Sequence, residues 1–148
     1  MSISFQKTIF KKAEFKGVGL HDGLKSIIKI IPADENHGIL FKRTDLEKNN
    51  IIKANFENVS STKLCTTIQN NFNVSISTVE HLLAAIYMTG IDNALIEINS
   101  PEVPIMDGSS KEFVETILKI GVKEQKVKRK YTTKKQTLKK QEIKQLKV

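Results

Sequence analysis

Glu80 and His81 stand side by side in Ser77-Thr78-Val79-Glu80-His81-Leu82-Leu83-Ala84-Ala85, and a carboxylate next to an imidazole can do chemistry. Two arrangements compete. In one, Ser77 caps a helix, Glu80 reaches back to it as the other half of a capping box, and His81 is an ordinary, partly exposed side chain. In the other, the pair works at a helix N-terminus as base and metal ligand. Spacing alone favours the capping box and leaves the second arrangement open. The other candidate groups are few: His21, His37 and one cysteine, Cys65. His21 lies in Gly17-Val18-Gly19-Leu20-His21-Asp22-Gly23, where three glycines suggest a bend or a close backbone approach. The G-x-G-x-x-G spacing fails, so this is not a dinucleotide fingerprint. A loop histidine without a chemical role is the commoner case.

The elements that must position these groups follow from periodicity. Val79, Leu82, Leu83, Ile86 and Tyr87 form one apolar helical face, and Gly90 follows as a left-handed stop. A second helix is expected with Ser109 and Glu112 as a capping box, Phe113, Val114, Ile117 and Leu118 as its stripe, and Gly121 as its end. Strands are expected over 5–15, 26–31, 39–42, 56–60, 64–68, 74–76 and 91–99, with a last one at 127–131. The stretch 74–76 to 92–98 suggests a parallel strand–helix–strand crossover. Residues 100–110, SPEVPIMDGSS, carry two prolines and Asp-Gly and read as irregular. A run of strands followed by helices predicts an α+β domain: a mixed, mainly antiparallel sheet with two helices packed on one face.

At 148 residues and 39% hydrophobic content, one domain with an ordinary core is expected. A single cysteine excludes an internal disulfide and suits a reducing compartment. There is no secretory leader pattern and no apolar run of membrane-spanning length, so the chain reads as soluble and cytoplasmic. The net charge of +8 is misleading. Residues 122–148 hold eleven Lys/Arg against two Glu, leaving 13 basic and 14 acidic groups in residues 1–121. The basicity therefore belongs to residues 122–148; within them a Lys-rich tail, 132–148, is expected to be disordered, and no nucleic-acid partner is expected.

Three stretches together carry a resemblance: GVGLHDG (17–23), STVEHLLAA (77–85) and GIDNALIEINSPEVPIMDGSS (90–110), with FKRTDL (41–46) between them. Over roughly residues 4–131 the chain resembles the zinc-dependent UDP-3-O-acyl-N-acetylglucosamine deacetylases of Gram-negative bacteria, which perform the committed step of lipid A synthesis. The resemblance implies a two-domain enzyme with its active site between two similar α+β halves, of which residues 1–131 are the N-terminal one. It implies Zn2+ as cofactor and a UDP-linked, acylated glucosamine as substrate. His81 then matches a zinc ligand and Glu80 the general base. Leu64 and Cys65 match substrate-binding positions, and His21 is a further candidate. The family's other two zinc ligands are a His and an Asp four residues apart on a second-domain helix. Here the residues four after His21, His37 and His81 are Lys25, Phe41 and Ala85.

The chain is therefore expected to supply the first domain only and to be inactive alone, with Thr132–Val148 arising from a shifted reading frame or premature stop. The rivals are a non-catalytic fragment or interaction domain and, more weakly, a nucleic-acid binder using the tail. Association through the exposed domain interface is expected.

Overall fold

The computed structural model describes residues 4–130. Tyr131 and the Lys-rich segment 132–148, with the expectations placed on them, lie outside the described residues. The order is β1 (Phe5–Ile9), β2 (Ala13–Val18), β3 (Lys25–Pro32), β4 (Ile39–Arg43), β5 (Ile51–Lys53), β6 (Val59–Ser61), β7 (Thr67–Gln69), β8 (Ser75–Ser77), α1 (Glu80–Met88), β9 (Ala94–Ile98), α2 (Lys111–Ile120) and β10 (Val122–Lys128). The strands form a five-stranded sheet in the order β2-β3-β9-β4-β5, a three-stranded sheet β6-β7-β8, and a two-stranded ribbon β1-β10. All ladders are antiparallel except β4–β9. This is the expected α+β class with a mixed, mainly antiparallel strand arrangement.

The period-2 pattern of the large sheet decides where the core lies. Ala13 and Phe15 pair with Ile30 and Ile28, which pair in turn with Ile96 and Ile98, while Phe41 lies between Ile96 and Ile52. All eight are buried and belong to one cluster with Val79, Leu82, Ala85 and Ile86 around α1 and Phe113 and Ile117 of α2. The Phe15 and Phe113 rings meet edge to face, centroids 4.9 Å apart at 73°. Each fully buried Ile, Leu or Phe among them contributes about 1.5–3 kcal/mol relative to exposure. The opposite face carries alternating charge across four strands: Glu14 pairs with Lys29, Lys29 with Glu97, and Glu97 with Lys42. Opposite charges facing one another across strands suit a wet face.

Several local expectations are corrected. The residues 5–15 form two strands, not one, broken at 10–12. Phe56–Asn58 is a 3-10 turn, capped by the Asn55 side chain, ahead of β6. The three-residue β5 was not expected, and the last strand is 122–128. No parallel crossover joins β8 to β9, because they lie in different sheets; the parallel partner of β9 is β4. Neither capping box forms: α1 follows Val79 and α2 follows Ser110, both without a side-chain cap. The helix stops are as expected, with Gly90 at φ +78° and Gly121 at φ +107°. Tyr87 and Leu118, expected on the apolar stripes, are exposed.

The ribbon is fastened to the body by polar groups. Asn93 is buried; its Nδ2 donates to Gln6 and Gln125, and its Oδ1 accepts from the Gly38 N–H. Arg129 donates through Nε to both Asp92 oxygens, at 3.0 and 2.8 Å, and to Ser4 Oγ and the Gly90 carbonyl.

Candidate functional site

Ser77 ends β8 and stands in a parallel bridge to Glu102, with its N–H on the Pro101 carbonyl and its carbonyl accepting from Val103 N–H. Those two bonds lay the segment 101–103 alongside the start of α1. The chain then turns at Thr78, whose φ of +60° is unusual for a β-branched residue. Such a conformation costs about 1–3 kcal/mol and persists where the surroundings over-determine it. Thr78 is 2% exposed, and its hydroxyl donates to Glu102 Oε2 at 2.5 Å.

Glu80 opens α1, but its carboxylate does not reach back to Ser77. Its Oε2 accepts the Thr66 N–H at 3.0 Å, while the Thr66 carbonyl accepts from Val79 N–H at 3.2 Å. The segment leading into β7 thus grips the helix start on both sides. Glu80 Oε1 has no partner among the described residues. His81 follows, its carbonyl accepting from Ser110 Oγ at 3.0 Å, which ties the starts of α1 and α2 together. The His81 Nδ1 is enclosed and has no hydrogen-bond partner among the described residues. Buried polar atoms are nearly always satisfied, so this orphan nitrogen asks for a group from outside the described residues.

Leu64 and Cys65 lie just before Thr66. Leu64 is 84% exposed, and Cys65 is half-buried with its Sγ 3.8 Å from Thr67 Oγ1. His21 is brought to the same neighbourhood by Glu102, which Thr78 shares: His21 Nδ1 lies 2.8 Å from Glu102 Oε2. His37 is elsewhere, bonded to the Gly38 carbonyl in the β3–β4 turn.

Glu102 is the residue the sequence reading missed. It is 2% exposed, and its Oε1 accepts the backbone N–H of His21 at 2.9 Å and of Asp22 at 3.1 Å. Burial alone would raise its pKa; the bonds from Thr78, His21 and the Asp22 and His21 N–H groups outweigh that and hold it at about 2. Gly19 leaves room for this carboxylate, since a Cβ there would collide with Glu102 Oε1 and the Asp22 carboxylate. The only signal in the sequence is a carboxylate set between two prolines.

A bound zinc needs about three protein donors. Among the described residues no group of three or more His, Cys, Asp or Glu could hold a metal. The His81 imidazole fits as one donor, and the described set does not complete a site.

The family model described as UDP-3-O-acyl N-acetylglycosamine deacetylase matches residues 6–147, and so takes in the Lys-rich segment as well. UDP-3-O-acyl-N-acetylglucosamine deacetylases of Shewanella denitrificans and Shewanella baltica are each 47% identical over 127 residues, 86% of this chain and 42% of theirs. The chain thus spans less than half the length of these curated relatives.

Proposed function

The chain belongs to the UDP-3-O-acyl N-acetylglycosamine deacetylase family, and from that premise we propose that residues 1–131 carry the general-base half of a zinc-dependent deacetylase site. The substrate is UDP-3-O-acyl-N-acetylglucosamine, and the reaction belongs to lipid A synthesis. The observation that carries the reading is Glu80 at the first turn of α1, one oxygen held by the Thr66 N–H and the other without a partner among the described residues, beside a His81 whose enclosed Nδ1 is unsatisfied by any of them.

In this reading Glu80 takes a proton from the attacking water. The water oxygen bonds to the acetyl carbon, the C–N bond breaks, and acetate and the free amine are the products. General-base assistance of this kind is worth about 10²–10⁴-fold. His81 supplies one ligand to Zn2+, which when bound lowers the pKa of its water to about 7. The remaining donors come from outside the described residues. Exposed Leu64 offers apolar surface to the acyl chain, with Cys65 beside it. A UDP-linked substrate and a lone thiol fit the cytoplasm, and no helix among the described residues is long and apolar enough to cross a membrane. Tyr87 and Met88 on α1 and Leu118 on α2 are exposed, which supports the helices meeting a further domain.

The rival reading, a non-catalytic interaction domain, is favoured by the incomplete donor set among the described residues. A zinc titration followed by the imidazole resonances of the three histidines separates the two. His81 is expected to shift before His21 and His37. With a polypeptide bearing the family's His-x-x-x-Asp pair added, acetate release is expected to fall at least about 10²-fold in Glu80→Gln, while the zinc-induced shift of His81 stays. An unmoved His81, or release undiminished in that variant, overturns the reading.

A further inference from the structure

We propose that Glu102 is a positioning residue for the Glu80–His81 site: one buried carboxylate sets the tautomer of His21 and pins Thr78, from which α1 departs. The meaning of the site rests on the deacetylase reading; the arrangement rests on geometry.

Four donors converge on the two oxygens. Oε1 takes the backbone N–H groups of His21 and Asp22, and Oε2 takes His21 Nδ1 and the Thr78 hydroxyl. The Glu102 carbonyl also accepts from Ser26 Oγ at 2.7 Å, which fixes the residue to β3. Three chain segments therefore meet here: the β2–β3 turn, the β8–α1 junction and the stretch 101–103. An ionised carboxylate only accepts, so the hydrogen must lie on His21 Nδ1. Neutral His21 then keeps its lone pair on Nε2. That atom has no partner among the described residues, and the side chain is 41% exposed. The turn thus presents a hydrogen-bond acceptor, Nε2, suited to a hydroxyl or amide N–H of a ligand. The same oxygen that orders the ring holds Thr78 in its left-handed conformation, two residues before Glu80. A carboxylate that fixes an imidazole's tautomer and orientation is a recurring device of active sites.

Replacing Glu102 by Gln separates this from mere packing. The amide oxygen can keep the two backbone N–H bonds. The amide NH2 then occupies the place of Oε2, where it donates to His21 Nδ1 and forces the hydrogen to Nε2. The Thr78 hydroxyl can rotate to accept. The tautomer is read from the imidazole 15N shifts of the 148-residue chain above neutral pH. Expected are the Nδ1–H form in the parent and in Thr78→Val, and the Nε2–H form in Glu102→Gln. An Nε2–H form in the parent overturns the proposal, and that measurement stands even if a variant does not fold. An unchanged tautomer in a folded Glu102→Gln overturns it as well. Either failure leaves zinc binding at His81 and the role of Glu80 untouched, so the two readings fall separately.

Discussion

Acid should loosen this fold through Glu102, whose folded-state pKa is depressed. A free Glu titrates near 4.5, and in the folded chain Glu102 is held at about 2. Between those values the unfolded chain binds the proton and the folded one does not, so stability rises with pH across the window. The contribution is complete above about pH 4.5 and is lost as the pH falls through about 2. The gap corresponds to about 3 kcal/mol, taking about 1.4 kcal/mol per pH unit. That is a large part of the 5–15 kcal/mol typical of a domain. Because the side chain is 3% exposed, solvent screening takes little from this figure. The assay is urea unfolding at a series of pH values for the parent and for Glu102→Gln, which cannot ionise. The stability difference between them should shrink by about 3 kcal/mol from pH 5 to pH 2. A difference that stays flat over that range refutes the cluster as described, since it would mean that the four donors do not favour the charged form.

Three further perturbations probe the frame around the site. Phe113→Ala removes a fully buried ring packed edge to face on Phe15; a loss of about 3–5 kcal/mol is expected by chemical denaturation. Arg129→Ala breaks bonds to Asp92, Ser4 and the Gly90 carbonyl; about 2 kcal/mol is expected, with faster hydrogen exchange in β1 and β10 and little change in α1. Gly19→Ala drives a Cβ into the Glu102 carboxylate; it should displace that group and abolish the pH-dependent difference just described, a result read from the same urea series.

The pair Glu80–His81 and its placement at a helix start were legible in the sequence, because an apolar helical period and a glycine stop leave little choice of structure. The caps were not. Ser77 spends its N–H on Pro101, and its hydroxyl accepts from Thr67, while Thr66 takes the Glu80 carboxylate. Those long-range partners outcompete a local capping box worth about 1 kcal/mol. Glu102 was invisible for the same reason: its side-chain donors sit 24 to 81 residues away, and between two prolines it reads as a loop acid. His21, by contrast, was noticed but could not be placed until the carboxylate that orders it was found. The parallel pair β4–β9 is bridged by some fifty residues that themselves form a small sheet and α1, so sequence proximity pointed to β8 instead.

Pairing of β1 with β10 sets Phe5 opposite Lys128, so both extremities of the described polypeptide leave from one corner, about 5 Å apart. Ser4 and Arg129 close that corner like a buckle, through the bond from Arg129 N–H to the Ser4 carbonyl at 2.8 Å. Anything joined before residue 4 or after residue 130 is tethered at that shared corner, and a tug on one extremity is felt by the other.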